Sequence, residues 1–94
     1  MQHRKRQHYQ HLWKRYSQGV QANNLAQLDE WVARRTFASG ESQRDIALML
    51  VAGSPYVRRI DQKQGKSKAV DYVNQKRICY RRWFEQQAQQ FMVH

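Results

Sequence analysis

The chain has 94 residues, enough for one domain around one core. Its 17 Lys and Arg against 7 Asp and Glu leave a formal charge of +10, which points to a polyanionic partner. The longest apolar run, Ile46 to Ala52, is far too short to cross a membrane, and three Trp, five Tyr and three Phe argue against wholesale disorder.

The first seven residues, MQHRKRQ, carry Arg4, Lys5 and Arg6. Two readings stay open: a flexible basic arm that reaches phosphates or a minor groove, or a frayed, solvated terminus. The segment lacks the apolar centre of a secretory leader. His3, His8 and His11 have no carboxylate or cysteine beside them in this stretch, so no metal is expected. From His8 the pattern turns helical. Tyr9, Leu12, Trp13 and Tyr16 fall at i, i+3, i+4 and i+7, with Lys14 and Arg15 off the stripe. Aromatics at this spacing read as core before they read as a platform for bases. Gly19 closes the helix.

Asn24 is an N-cap for the next helix. Leu25, Leu28 and Val32 form its inner stripe and Trp31 widens it. Asp29 and Glu30 precede Arg34 and Arg35, the order that the helix dipole favours. Gly40 ends this helix, and the very short link to Ser42 places the next one beside it.

Ser42 to Gly65, SQRDIALMLVAGSPYVRRIDQKQG, reads as two short helices and a tight turn. Ser42 with Asp45 makes a capping box, the serine taking one orphan amide and the acid reaching back to another. Ile46, Ala47 and Leu50 recur at helical spacing. Gly53 is expected to end the first helix in the left-handed conformation. Ser54 caps the second, Pro55 takes its first position, Val57 and Ile60 face inward, and Gly65 stops it. This stretch resembles a helix-turn-helix DNA-binding motif. That family places a small residue on the first helix and a branched apolar one ten positions later, here Ala47 and Val57, because two steeply crossing helices need close packing. It prefers glycine four residues after the alanine, where this chain has Val51, so Gly53 would make the turn.

The resemblance implies that Arg58, Arg59 and Gln62 read base edges in a major groove, since Arg suits guanine and Gln suits adenine. Ser54 and the amides after it would meet a phosphate at the helix start. Tyr56, Lys63, Lys66 and Lys68 lie within reach of the backbone. Without the preceding helix and turn, the same arginines would read as an ordinary solvated face.

Gly65-Lys66-Ser67 looks like the end of a phosphate-binding loop, but the position five before Gly65 is Ile60, inside a helix, so nucleotide binding is rejected. Ser67 to about Phe91 has no proline or glycine and reads as one long helix of roughly 36 Å. Val70, Val73, Tyr80, Phe84, Ala88 and Phe91 make one stripe, and Tyr72, Cys79 and Trp83 a second. This excess of apolar surface suggests a homodimer seam along the last helix, with closure over the bundle as the alternative. Lys76, Arg77, Arg81 and Arg82 form a basic run. Cys79 is the only cysteine, makes no internal disulfide, and fits a reducing cytoplasm. It lacks the base that a nucleophile needs, and the carboxylates are scattered; the reading is a non-enzyme without cofactor or metal.

The charge excess lies in the flanks. Met1 to Arg15 holds five basic residues and no acid, and Lys63 to Glu85 holds seven against Asp71 and Glu85, while the segments between balance. The expectation is therefore an all-α bundle of four or five helices, a single domain over residues 1–94, containing a helix-turn-helix and a long C-terminal helix. It would act as a duplex DNA-binding protein of the transcription-regulator kind, the motif selecting sequence and the flanks holding phosphates. Two alternatives stay open. One is a helical accessory module on single-stranded DNA or RNA; the run through GKSKAVDYV is loosely similar to helical segments of plasmid mobilisation (relaxase-type) proteins, which implies a DNA-processing helper. The other is an adaptor for an acidic protein.

Overall fold

A computed structural model describes residues 3–78 together with 86, 88 and 89. Residues 3–78 form five α-helices: α1 (His3–Ser17), α2 (Leu25–Ala38), α3 (Gln43–Gly53), α4 (Pro55–Gln64) and α5 (Lys66–Lys76). No strand occurs among the described residues, and the expected all-α bundle is what forms. Helices α2 and α3 make up its middle, each touching the other four; α1 lies along α3 on one side, and α4 pairs with α5 on the other.

The helix starts follow from local chemistry. Asn24 Oδ1 accepts from Gln27 N at 2.8 Å, Ser42 Oγ from Asp45 N at 3.1 Å, and Ser54 Oγ from Val57 N at 3.2 Å. Each cap satisfies an amide that the helix leaves orphaned, worth about 1 kcal/mol. The Asp45 carboxylate is used differently from the expected reach-back to a backbone amide. It accepts from two hydroxyls, Ser42 Oγ at 3.0 Å and Tyr9 Oη at 2.9 Å, and so ties α3 to α1. That bond, with some desolvation, raises the Tyr9 phenol above its ordinary pKa.

The core is apolar and draws on every helix: Leu12, Trp13 and Tyr16 of α1, Val32 and Ala33 of α2, Ile46, Met49 and Leu50 of α3, Val57 and Ile60 of α4, and Ala69 and Val73 of α5. Leu12, Trp13 and Tyr16 of the α1 stripe are thus core, as their spacing implies, while Tyr9 is half-buried against it. In α2 the phase differs from the expected one. Asp29, Val32, Ala33 and Thr36 are the buried line, Leu25 and Leu28 are half-buried, and Trp31 is exposed. Thr36 survives burial because its hydroxyl donates to Val32 O at 2.6 Å. In α5, Ala69 and Val73 turn inward while Val70 faces out.

Three boundaries differ from the sequence reading. Helix α1 begins at His3, five residues before the expected start, so Lys5 and Arg6 lie in its first turns. The helix expected from Ser67 starts one residue earlier and ends at Lys76, with Arg77 as its cap and a turn through Ile78; apart from Gln86, Ala88 and Gln89, which are helical, its remaining length and the expected dimer seam lie outside the described residues. Gly53 does not turn the chain. It is the last residue of α3 and lacks the positive φ of Gly19, Gly40 and Gly65, leaving Ser54 alone between α3 and α4. The glycine is required for another reason: a Cβ there would overlap Trp13 Cβ and Cγ and stand 2.9 Å from Cδ1.

Gly65, unlike Gly53, is held by its backbone conformation. It joins α4 to α5 with φ 92° and ψ 168°, a region closed to residues with a Cβ. An added methyl meets nothing within 4 Å, so Gly65→Ala isolates the backbone term. The variant is expected to lose about 1–3 kcal/mol in urea unfolding; an unchanged midpoint would show that the junction relaxes freely.

Candidate nucleic-acid interface

Four of the six described acidic residues are engaged within the fold, while Asp61 and Asp71 are exposed on α4 and α5. Asp29 is fully buried, and Tyr72 donates to its Oδ2 at 2.6 Å, a short charge-assisted bond that fastens α5 to α2. Ser54 lies against the same carboxylate, although Oδ1 is left without a partner of hydrogen-bonding geometry. Desolvation raises the Asp29 pKa above its usual 3.8, and the Tyr72 and Ser54 hydroxyls and the Lys76 charge offset this in part. Glu30 stands 3.8 Å from Arg34 and 4.0 Å from Lys76. Asp45 holds Tyr9 and Ser42, and Glu41 accepts from Tyr16 at 3.5 Å.

The cations face the other way. Lys5, Arg6, Lys14, Arg15, Arg58, Arg59, Lys63, Lys66 and Lys68 are exposed, and among the described residues none of them forms an ion pair with Asp or Glu. Around α4, Val57 and Ile60 point inward. At 100° per residue, Pro55 and Gln62 then stand on the outermost line, with Arg58 and Arg59 about 50° to either side of it, Asp61 beyond Arg58, and Lys63 and Tyr56 beyond Arg59. Arg58, Arg59 and Gln62 are thus brought together on one exposed helix, continuous with Lys63, Lys66 and Lys68 beyond it.

Other expected contacts are placed elsewhere. Ser54 is 1 % exposed, its hydroxyl capping α4 and facing Asp29, so it is withdrawn from any phosphate at the surface. The start of α4 already has an anion beside it, supplied by α2, where the helix dipole favours one. Tyr56 is half-buried, its ring 5.0 Å from that of Tyr72. Lys76 lies over the Tyr72 ring at 5.7 Å and beside Glu30, which makes it a structural cation before a phosphate ligand. The Arg4 side chain, Arg81 and Arg82 lie outside the description. No group of three or more metal-ligating side chains occurs among the described residues.

Two features escaped the sequence reading. Asp29 was legible in principle, since it falls on the helical line of Leu25, Val32 and Thr36; only its charge argued for the surface. The second is a groove of about 400 Å³ where α3, α4 and α5 meet, rimmed by Arg6 of α1. Comparison with family models, with curated proteins and with solved structures finds no match for this chain.

Proposed function

We propose that this protein binds nucleic acid without catalysing a reaction, with duplex DNA as the leading ligand and α4 as the element that enters the groove. The observation that supports this most is the surplus of cations at the surface: four of the six described acids are engaged with hydroxyls or with Arg34 and Lys76, and the exposed arginines and lysines outnumber the two exposed acids, Asp61 and Asp71. Such a surface releases counterions from a polyanion, the main source of affinity in non-specific binding. Arg58, Arg59 and Gln62 supply the donor and acceptor patterns that discriminate bases. Lys63, Lys66 and Lys68 position the backbone.

A second reading draws on the junction. A helix-turn-helix usually has three or four residues between its helices, and here Ser54 stands alone. A pair joined so tightly, with the start of α4 buried, also suits a module that grips the phosphates of single strands or RNA without reading sequence.

A salt-dependent titration against duplex pools, single strands and RNA separates them. The slope of log K against log salt, divided by about 0.9, counts the phosphates neutralised on duplex DNA. The expected result is a subset of duplexes retained at salt that strips random sequence, with R58A/R59A abolishing that preference and lowering affinity by roughly tenfold or more. Equal binding of all duplexes, or a preference for single strands or RNA, would assign the surface to the second reading. Indifference to every nucleic acid would remove both.

A further inference from the structure

The groove above α3, α4 and α5 is chemically unlike the rest of the basic surface. Its lining includes Val51, Val57, Ala69 and Val70 as apolar residues, and Arg6, Arg58 and Lys66 as cations against one acid, Asp61. Val51 and Val70 are 49 % and 54 % exposed. Both line one groove and are ringed by charge, an arrangement that suits a contact surface. A sugar-phosphate backbone would use the cations and gain nothing from the valines. A nucleobase would stack on an aromatic ring, and the lining has none. A second copy of this chain would bring its own excess of positive charge to three cations.

We propose that this groove docks an acidic amphipathic segment of a partner protein, a helix whose aliphatic side chains enter between Val51 and Val70 and whose carboxylates reach Arg6, Arg58 and Lys66. The three cations come from three different helices, α1, α4 and α5, and so are spread to meet several carboxylates along a segment. Helix-in-groove recognition has this form: apolar anchors at i, i+3 or i+4 and i+7, with charge at the edges. The inference is independent of the nucleic-acid reading but meets it at Arg58, which belongs to both surfaces. A bound acidic helix would therefore compete with nucleic acid for α4.

The probe is a fluorescein-labelled synthetic helix of about 14 residues with leucines on one stripe and flanking glutamates, beside a scrambled peptide of the same composition. Anisotropy titration of the full chain is expected to show saturable binding of the first peptide and at least about tenfold weaker binding of the second. V51S/V70S, which changes only exposed positions, is expected to weaken the striped peptide by about tenfold and leave duplex DNA binding unchanged. R59A/Q62A should do the reverse. Equal affinity for both peptides, or indifference of the striped peptide to V51S/V70S, would overturn the proposal. Loss of oligonucleotide binding in V51S/V70S would also overturn it, because the groove would then belong to nucleic acid.

Discussion

Gly53→Ala is expected to destabilise this protein by about 3 kcal/mol, although alanine is the better helix former and would gain up to about 1 kcal/mol in a helix interior. The opposing effects make the sign decisive. Gly53 ends α3 with ordinary handedness, so nothing in its backbone forbids a side chain. The obstacle is Trp13, whose Cβ and Cγ occupy the space that a new Cβ would take. Trp13 is itself 8 % exposed in the core, and shifting it disturbs the α1–α3 contact. Urea unfolding followed by tryptophan fluorescence checks this, and a second variant supplies the control. W13A should cost about 3–5 kcal/mol, but adding G53A to W13A should then cost little, a coupling that a double-mutant cycle reads directly. Additive losses, or a stabilised G53A, would remove the overlap as the cause.

The second expected result is a pH dependence centred on Asp29. A carboxyl group that is fully buried at the meeting of α2, α5 and the α3–α4 junction resists ionisation, and its pKa rises from 3.8. The native state therefore holds this proton more tightly than the unfolded chain does. The resulting stability is fully present below about pH 3.8 and is lost as pH rises through the raised native pKa. Asp29→Asn keeps an acceptor for Tyr72 and abolishes the titration. The stability of D29N relative to the native protein is expected to increase with pH from about 3.8 upward and then level off. A difference that ran the other way would mean that the site prefers the carboxylate, as a paired surface acid does. Tyr72→Phe, which strips the short bond from Asp29, should cost about 1–3 kcal/mol at neutral pH.

These two residues also mark where the sequence was legible and where it was not. Caps were readable because their chemistry is local: Asn24, Ser42 and Ser54 each bond an amide three residues ahead. The α1 stripe was readable because its inward residues are all apolar. The phase of α2 was not, since its inner line includes a charged residue whose hydroxyl partner is 43 positions away. Gly53 was misassigned for the same reason. A glycine before Ser-Pro carries every local sign of a turn, whereas its true constraint is a tryptophan in another helix. For the candidate interface, residue type and helical spacing were enough to place Arg58, Arg59 and Gln62 on an exposed face. Exposure at a cap is set by tertiary docking, so the withdrawal of Ser54 was invisible, as was the groove, which takes residues from four helices.

The junction at Ser54 has a mechanical meaning as well. One residue, with its hydroxyl engaged and its surface covered, gives the chain no slack between α3 and α4. A hinge needs residues free to change their dihedrals, and this corner has almost none. The two helices form a bent lever. Its short arm, α4, presents the arginines. Its long arm, α3, is braced against α1 through Gly53 and Trp13. A load applied at Arg59 is passed to α5, against which α4 packs, and through the one-residue corner to α3 and its glycine–tryptophan contact with α1.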